Sequence, residues 1–372
     1  MTDITVLDLL VDRADLARVE LRKTTLEIID IVEGQVLLKV DHFGLTANNI
    51  SYAAFGDELD YWKFFPAPKG WGIVPVWGFA EVQLSRCIGI EPGDRFYGFY
   101  PMSSHLLVEP TQVKKGSFLD AAEHRQSLPL IYNQYLRASN DPLYKSASEV
   151  TQILLRPLFT TSFLLENFIA EDGFFGANRV LFTSASSKTA IGTSYILSKK
   201  RSSREQSINT IGLTSLKNKA FVENLGCYDQ VLDYDEISEL DTQTPTLIID
   251  FSGNTELLSR LHRHFGQKLK YSCMVGAAHW NHRGCLQEDV PGPVPKLFLG
   301  PTHAQRLLKD WGGEYFHRCL TEHWFAFCIF AEQWLDIERS VGSTAVKQVY
   351  ESLVSGDISP RVGHILSLLD SA

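Results

Sequence analysis

The stretch that decides the fold is Arg179-Val-Leu-Phe-Thr-Ser-Ala-Ser-Ser-Lys-Thr-Ala-Ile-Gly192. It begins with the apolar run 180–182, continues through small or hydroxylated residues at 183–187, and opens a helix at 188–190. This order predicts a strand, a phosphate-binding loop and a helix. Small side chains let the backbone approach a pyrophosphate, and N–H groups at a helix N-terminus can bind it. The alternative is an ordinary strand-to-helix turn with a Ser N-cap, because Gly192 is the one glycine present of a Gly-x-Gly-x-x-Gly motif.

The end of the second predicted strand favours NADPH over NADH. The strand predicted over residues 208–213 is followed by Thr214, Ser215, Lys217 and Lys219. An NAD site usually has an acidic residue here for the ribose hydroxyls, and this sequence has none. Two lysines and two hydroxyls suit a 2′-phosphate, so NADPH is the predicted cofactor. The alternative is a solvated lysine pair that opens the next helix.

Further strands and helices alternate over the following residues. Repeated strand and helix predict a doubly wound parallel sheet with its ligand at the carboxyl ends of the strands. Ser252 comes directly after such an end. In chain order, the predicted elements are the helix 218–225, the strands 230–234 and 246–251, the helix 255–265 and the strand 271–277.

Composition narrows the class of protein. The chain has 372 residues, 44% of them hydrophobic and 21% charged, with a net charge of −9, as expected for a globular protein of two domains. Its basic block, Lys199-Lys200-Arg201, is typical of a solvated helix end, so nucleic acid is not an expected partner. The N-terminus lacks a signal pattern, and no apolar run approaches the about 18 residues of a membrane span. We therefore expect a cytoplasmic protein with no membrane partner.

The N-terminal part of the chain predicts a small antiparallel barrel. Residues 18–40 alternate apolar and polar side chains around a turn at Gly34. Residues 43–50 predict a loop that starts a short helix. Glycines and aromatic residues are dense in 70–82 and 93–101, as in a barrel with tight turns.

These segments together resemble the medium-chain dehydrogenase/reductase superfamily, especially its zinc-free quinone and enoyl reductases. The resemblance depends on the β-rich N-terminal part, the segment Gly78-Phe79-Ala80-Glu81-Val82, the turn Pro92-Gly-Asp-Arg-Phe-Tyr-Gly98 and the later Rossmann half. Residues 355–360 resemble the closing turn of the superfamily. Closer local similarity, to a branch described as a domain of unknown function, is found in residues 155–162, 184–190 and 212–215.

The resemblance implies an α/β fold with a GroES-like β-barrel catalytic domain plus a Rossmann domain with a doubly wound parallel sheet. The catalytic domain would contain residues 1–157 and 306–372, and the Rossmann domain residues 158–305. The implied function is that of an NADPH-dependent reductase that transfers a hydride to a small-molecule enone, quinone or carbonyl. A homodimer is the expected assembly.

No metal is predicted, because the zinc ligands of the superfamily are replaced. The segment aligned with its Gly-His-Glu motif has Phe79 in place of histidine, and Asn48-Asn49 occupy the region of the first ligand. Phenylalanine cannot bind zinc. The cysteine-rich structural zinc lobe is also missing, and residues 111–154 resemble an insertion.

Without a metal, another group must stabilise the negative charge that develops on the substrate. Tyr52 is the first candidate, because metal-free enoyl reductases have an acidic tyrosine in this segment. Tyr97 and Tyr100 are competitors, although each is typical of a barrel core. His279 follows the fifth predicted strand of the Rossmann half. The alternative role for this residue is that of an ordinary structural histidine in a loop. The predicted catalytic residues are Tyr52, Tyr97 and His279.

The resemblance also implies that Thr160 or Thr161 contacts the nicotinamide amide.

An alternative function remains open, that of a non-catalytic nucleotide-binding or sensor protein on the same fold. The missing zinc ligands and loop glycines favour it. The predicted cofactor-binding residues are Thr161, Ser184, Ser186, Ser187, Lys188, Thr189, Thr214, Ser215, Lys217, Lys219 and Ser252.

Overall fold

The computed structural model describes residues 3–203, 207–275, 290–356 and 359–369. The chain divides into two compact units. The first unit contains Met1–Leu154 and Leu335–Ala372, and the second contains Leu155–Trp334. Residues 306–334, which the sequence analysis placed in the catalytic domain, therefore lie in the second unit.

Strands dominate both ends of the chain, and helices alternate with strands in its middle part. In chain order, the elements are β1 (Ile4–Asp12), β2 (Val19–Leu26), β3 (Val36–Leu45), α1 (Ala47–Ala54), β4 (Trp71–Gly72), β5 (Pro75–Ser85), β6 (Arg95–Pro101), β7 (His105–Val108), β8 (Pro110–Lys114), β9 (Ser117–Asp120), α2 (Leu130–Asn133), β10 (Gln134–Arg137), α3 (Glu149–Glu171), β11 (Arg179–Phe182), α4 (Lys188–Lys199), β12 (Asn209–Thr214), α5 (Leu216–Asn224), β13 (Gln230–Asp233), β14 (Thr246–Asp250), α6 (Thr255–Phe265), β15 (Leu269–Met274), β16 (Lys296–Leu297), α7 (Gly300–Trp311), α8 (Gly313–Ala331), β17 (Asp336–Val341), α9 (Ser343–Ser355) and β18 (Val362–Ser367).

The first unit consists mainly of β-sheet. Its larger sheet has the strand order β17-β18-β3-β5-β6-β10-β9-β8, with β7 also paired to β3. A smaller sheet has the order β2-β1-β4. The neighbouring strands β3 and β5 approach closely at Gly78, where a Cβ atom would lie 2.6 Å from the carbonyl oxygen of His42. Residues 111–154, predicted to be an insertion, extend this sheet through β8, β9 and β10.

The second unit contains a six-stranded sheet with the order β13-β12-β11-β14-β15-β16. Every paired strand in it is parallel. All four residues of the central strand β11 are buried, as expected when helices cover both faces of a parallel sheet. The predicted doubly wound sheet is confirmed, and its order reverses between β11 and β14.

Helix α3 connects the two units in sequence and is unusually apolar. The segment Ser146–Glu171 is long and apolar enough to cross a membrane by length and composition, so the expectation that no run approaches a span was wrong. Of the most apolar 18-residue window in this segment, 56% is buried inside the protein. A buried core helix can have the same length and apolar composition. Helix α4 approaches α3 closely, because a Cβ atom on Gly192 would lie 2.5 Å from the Ser162 hydroxyl.

Helix α8 packs on α3 and α4 through aromatic side chains. Phe327 stacks on Phe159 with ring centroids 4.6 Å apart, and Phe330 stacks on Tyr195 at 4.6 Å. The Tyr195 hydroxyl also donates to the carbonyl oxygen of Ala326 at 3.0 Å. These contacts explain why 306–334 belongs to the second unit.

Candidate functional site

The predicted phosphate loop lies at the point where the order of the parallel sheet reverses. Ligands of doubly wound sheets bind at this position. Ser184 has a φ of +46°, a left-handed backbone conformation that favours glycine. The Ser187 side chain accepts a hydrogen bond from the Ala190 N–H at 3.2 Å and so caps α4, as in the alternative of an ordinary strand-to-helix turn with a Ser N-cap. At Ser184 the loop therefore has a backbone conformation that glycine adopts more easily than serine.

A buried polar group fixes the ends of β11 and β14. Thr183 donates to the Asp250 carboxylate, and the Ser252 hydroxyl donates to the same oxygen at 2.6 Å. Burial raises the pKa of Asp250, while the hydrogen bonds from Ser252 and Thr183 oppose that shift. Ser252 is fully buried, so its hydroxyl holds the strand ends together. Its predicted contact with the cofactor stays a prediction.

The end of β12 is joined to the phosphate loop by hydroxyl and amide groups. The Thr214 hydroxyl donates to Ser186 Oγ at 3.4 Å, and Asn218 Nδ2 donates to the same atom at 3.4 Å. Ser215 stands at the N-cap position of α5 without a side-chain capping bond. Asn218 was missed by the sequence analysis, although its place between the two lysines could have indicated it.

The two lysines predicted to bind a 2′-phosphate differ in their surroundings. Lys217 is exposed in the first turn of α5. The Lys219 ammonium contacts both carboxylate oxygens of Glu236, at 2.7 and 2.6 Å. This hydrogen bond raises the pKa of Lys219 and lowers the pKa of Glu236. The charge of Lys219 is therefore already paired with Glu236, which follows β13, and its predicted contact with a 2′-phosphate stays a prediction.

Lys188 and Thr189 form the first turn of α4 and are partly buried. Burial lowers the pKa of Lys188 to about 8. A cation at a helix N-terminus is disfavoured by the helix dipole, and a bound anion would reverse this effect. Together with the Ser186 and Ser187 hydroxyls, this set of donors fits the phosphates of a dinucleotide.

Thr161 lies on α3, one turn beyond Pro157. Its hydroxyl donates to the Pro157 carbonyl at 3.1 Å, within its own helix. The neighbouring Ser162 hydroxyl contacts the Thr189 carbonyl oxygen at 2.8 Å and connects α3 to the first turn of α4. Ser162 was not among the predicted residues.

The predicted catalytic tyrosines lie in the aromatic core of the first unit. Tyr52 is 8% exposed and stacks on Tyr61 at 4.4 Å, and Tyr97 is 3% exposed and stacks on Trp77 at 5.4 Å. Tyr100 is also buried, and its hydroxyl donates to a backbone carbonyl at 2.9 Å. His279 lies outside the described residues.

Phe79 occupies the position where the resembling enzymes have a zinc-binding histidine. It is fully buried and packs between Tyr97 and Tyr144, at ring distances of 5.3 and 5.6 Å. The Arg95 guanidinium lies 5.2 Å from its ring centroid. In the part of the chain that the structure describes, no group of three or more His, Cys, Asp or Glu residues could hold a metal ion.

Comparison with family models identifies the relatives of this chain. The model described as "Protein of unknown function (DUF2855)" matches residues 43–359. The chain belongs to the DUF2855 family. By sequence, no curated protein matches this DUF2855 member.

Solved structures with the same fold include several reductases. CurA from Vibrio vulnificus in complex with NADPH has a TM-score of 0.59 at 10% identity, with 100% of each chain covered. An Etr1p mutant in complex with NADP and crotonyl-CoA has a TM-score of 0.55 at 12% identity, covering 98% of this chain and 100% of the other. A protein from Bacillus thuringiensis proposed as an NADPH:quinone reductase has a TM-score of 0.56 at 10% identity, covering 98% and 99%. These matches confirm the predicted fold class, with GroES-like and Rossmann domains.

Proposed function

We propose that this DUF2855 protein is a zinc-independent, NADPH-dependent reductase that transfers a hydride to an enone, quinone or carbonyl. The observation that carries the proposal is the hydroxyl-lined loop at the sheet reversal, with an exposed lysine and no carboxylate after β12. The NADPH or NADP present in the CurA and Etr1p structures supports it. A small-molecule substrate, a homodimeric assembly and a cytoplasmic location remain predictions.

The chain offers two groups of donors to such a cofactor. N–H groups of the α4 N-terminus, with Ser186, Ser187, Lys188 and Thr189, would bind the pyrophosphate. When bound, NADPH supplies the hydride. The second group, for the 2′-phosphate, is Thr214, Ser215 and Lys217, which Asn218 keeps next to the loop.

Tyr52 is the proposed donor to the substrate oxygen. Burial, with the nearby Tyr132 hydroxyl, raises the pKa of Tyr52. The phenol consequently stays neutral at pH 7 and keeps its proton to donate. Tyr97 supports the aromatic core, and His279 remains a predicted alternative.

The proposal is tested by NADPH oxidation with a set of acceptors, comprising duroquinone, a cyclic enone and an aromatic aldehyde. We expect turnover with at least one of these, and Tyr52→Phe should lower it by about 10²-fold or more, as when a positioned acid is lost. Tight NADPH binding without turnover of any acceptor would contradict the proposed reductase function.

A second candidate is a non-catalytic nucleotide-binding or sensor protein. The burial of both Tyr52 and Tyr97 favours it, since a donor must reach its substrate. NADPH binding without turnover is its expected result, so the same experiment separates the two functions.

A further inference from the structure

A cleft opens in the first unit between β1 of the smaller sheet and strands β3, β5 and β7 of the larger sheet. Its volume is about 470 Å³, within the range of about 300–1,000 Å³ that is typical of small-molecule sites. None of the residues that line it is among the predicted cofactor-binding or catalytic residues, so the cleft is a separate candidate site. Its lining includes Asp3, Ile4, Ile28, Lys39, Leu84 and His105.

Two polar side chains of the cleft are neighbours across the larger sheet. Lys39 of β3 lies directly opposite His105 of β7 in their antiparallel pairing. Side chains at directly opposite positions share one face of the sheet, with Cβ atoms about 4.5–5.5 Å apart. Burial lowers the pKa of His105 to about 4, and the nearby charge of Lys39 contributes to this shift. One ligand group can therefore reach both side chains.

The His105 imidazole is held in place by Ser104. Ser104 Oγ accepts the Leu7 N–H at 2.9 Å and lies 2.9 Å from His105 Nδ1. The backbone of Ser104 is fixed as well, since its N–H donates to the Leu7 carbonyl oxygen at 2.8 Å and its carbonyl oxygen accepts the Val40 N–H at 2.9 Å. We assign the Ser104 hydroxyl proton to the bond with Nδ1, because Oγ already accepts from Leu7. The imidazole, neutral at pH 7, then carries its own proton on Nε2 and can donate it to a ligand.

Charges of opposite sign line the cleft together with an apolar surface. Lys39 and Asp3 are both exposed, and neither forms an ion pair with another described residue. An ammonium and an N–H donor suit a carboxylate, a carboxylate suits an ammonium group, and aliphatic side chains suit a hydrocarbon group. The apolar part of the lining consists of three half-buried side chains, those of Ile4, Ile28 and Leu84.

We infer that this cleft binds an α-amino acid with a large apolar side chain. Lys39 and His105 donate to its carboxylate, and Asp3 accepts from its ammonium group. Its side chain lies against the three aliphatic residues of the lining. A zwitterion balances both charges, whereas a simple carboxylic acid would be repelled by Asp3 and a simple amine by Lys39. The cleft lies within the first unit and its lining needs no cofactor, so the inference does not depend on the proposed reductase function.

The first test compares three ligands that share one hydrocarbon body, by isothermal titration calorimetry on the full chain without nucleotide. L-Phenylalanine has both charged groups, 3-phenylpropanoate lacks the ammonium group, and 2-phenylethylamine lacks the carboxylate. We expect L-phenylalanine to bind at one site per chain. Each analogue should bind more weakly by about tenfold or more, as for a lost hydrogen bond to a charged group. Absence of L-phenylalanine binding, or equally tight binding of either analogue, would overturn the inference.

The second test assigns each charged group of the ligand to one side chain. Lys39→Met should weaken L-phenylalanine binding by about tenfold and remove its advantage over 2-phenylethylamine. Asp3→Asn should likewise remove its advantage over 3-phenylpropanoate. The matched control is Lys114→Met on β8, an exposed lysine of the same unit outside the cleft, which should leave all three affinities unchanged. Thermal melting verifies that each variant is folded. Unchanged ligand preferences in either folded cleft variant would overturn the inference, because the amino acid would then bind elsewhere.

Discussion

At the scale of single residues, Lys217 and Lys219 are two positions apart but have opposite surroundings. Both were predicted to bind a 2′-phosphate, because the sequence shows two lysines after a strand. The structure pairs Lys219 with Glu236, which lies 17 residues further along the chain. The turn of α5 into β13 brings them together, and such a partner cannot be recognised from local sequence. Lys217 keeps the predicted role.

The difference between these lysines gives a matched pair of variants. Lys217→Ala should weaken NADPH binding by about tenfold, since a hydrogen bond to a charged group contributes about 1.5–3 kcal/mol, and should leave NADH binding nearly unchanged. Lys219→Ala should change neither affinity by more than about twofold, because its partly exposed ion pair is worth little. Isothermal titration calorimetry with both nucleotides measures the four values. Equal losses of NADPH affinity in both variants would restore the role predicted for Lys219.

A pH dependence is expected from Lys188. Its lowered pKa of about 8 means that half of the free protein has lost this charge near that pH. A bound phosphate would raise the pKa again, so binding takes up a proton at higher pH. Affinity for NADPH should be constant below pH about 8 and fall by up to about tenfold per pH unit above it. The Lys188→Met variant should bind NADPH more weakly, and its affinity should no longer fall with rising pH. The Lys217→Ala variant should keep this pH dependence. A flat profile in the unaltered protein would contradict the placement of Lys188 at the phosphates.

At the scale of elements, local patterns predicted the strand, loop and helix from β11 to α4, but not the backbone of the loop. A serine N-cap was considered only within the alternative of an ordinary turn, and the structure shows that Ser187 makes this cap within one turn of α4. The left-handed conformation of Ser184 could not be predicted, since serine seldom adopts it. Residues 111–154 were predicted to be an insertion, and this stays a prediction. Their buried Arg125 was missed because its partners are assembled only by the folded chain.

The conformation of Ser184 gives a prediction for stability. A non-glycine residue held with a positive φ costs on the order of 1 kcal/mol or more, so Ser184→Gly should raise the free energy of unfolding by about 1 kcal/mol. Ser187→Ala removes the cap of α4 and should lower it by about 1 kcal/mol. Chemical denaturation of both variants beside the unaltered protein measures the two effects. A less stable Ser184→Gly would show that the serine side chain matters more than the backbone.

A larger effect on stability is expected from the network of the fully buried Arg125, whose guanidinium donates to Asp120 at 3.0 Å, to Asn133 of α2 at 2.9 Å and to the Tyr135 hydroxyl at 2.8 Å. Arg125→Met removes one partner of a buried ion pair and leaves Asp120 without its cation, which typically costs about 3–5 kcal/mol. Arg361→Met is the matched control, because its ion pair with Asp336 is largely exposed and should contribute about 0–1 kcal/mol. Denaturation curves compare the two. A cost below about 1 kcal/mol for Arg125→Met would mean that the network does not hold α2.

At the scale of the whole molecule, the order of domains in the sequence predicted the fold. Alternating strands and helices gave the parallel sheet, and β-rich segments at both ends gave the first unit. The end of the second unit was placed too early, because the aromatic face of α8 finds its partners on α3 and α4. Those contacts depend on residues more than 130 positions away.

The most direct test of the proposed reductase is a calorimetric titration of the unaltered protein with NADPH and with NADH. The loop after β11 and the exposed Lys217 predict one nucleotide per chain, with NADPH bound about tenfold more tightly, as for one added charged hydrogen bond. Equal affinities for the two nucleotides, or no binding of either, would contradict the proposed NADPH site.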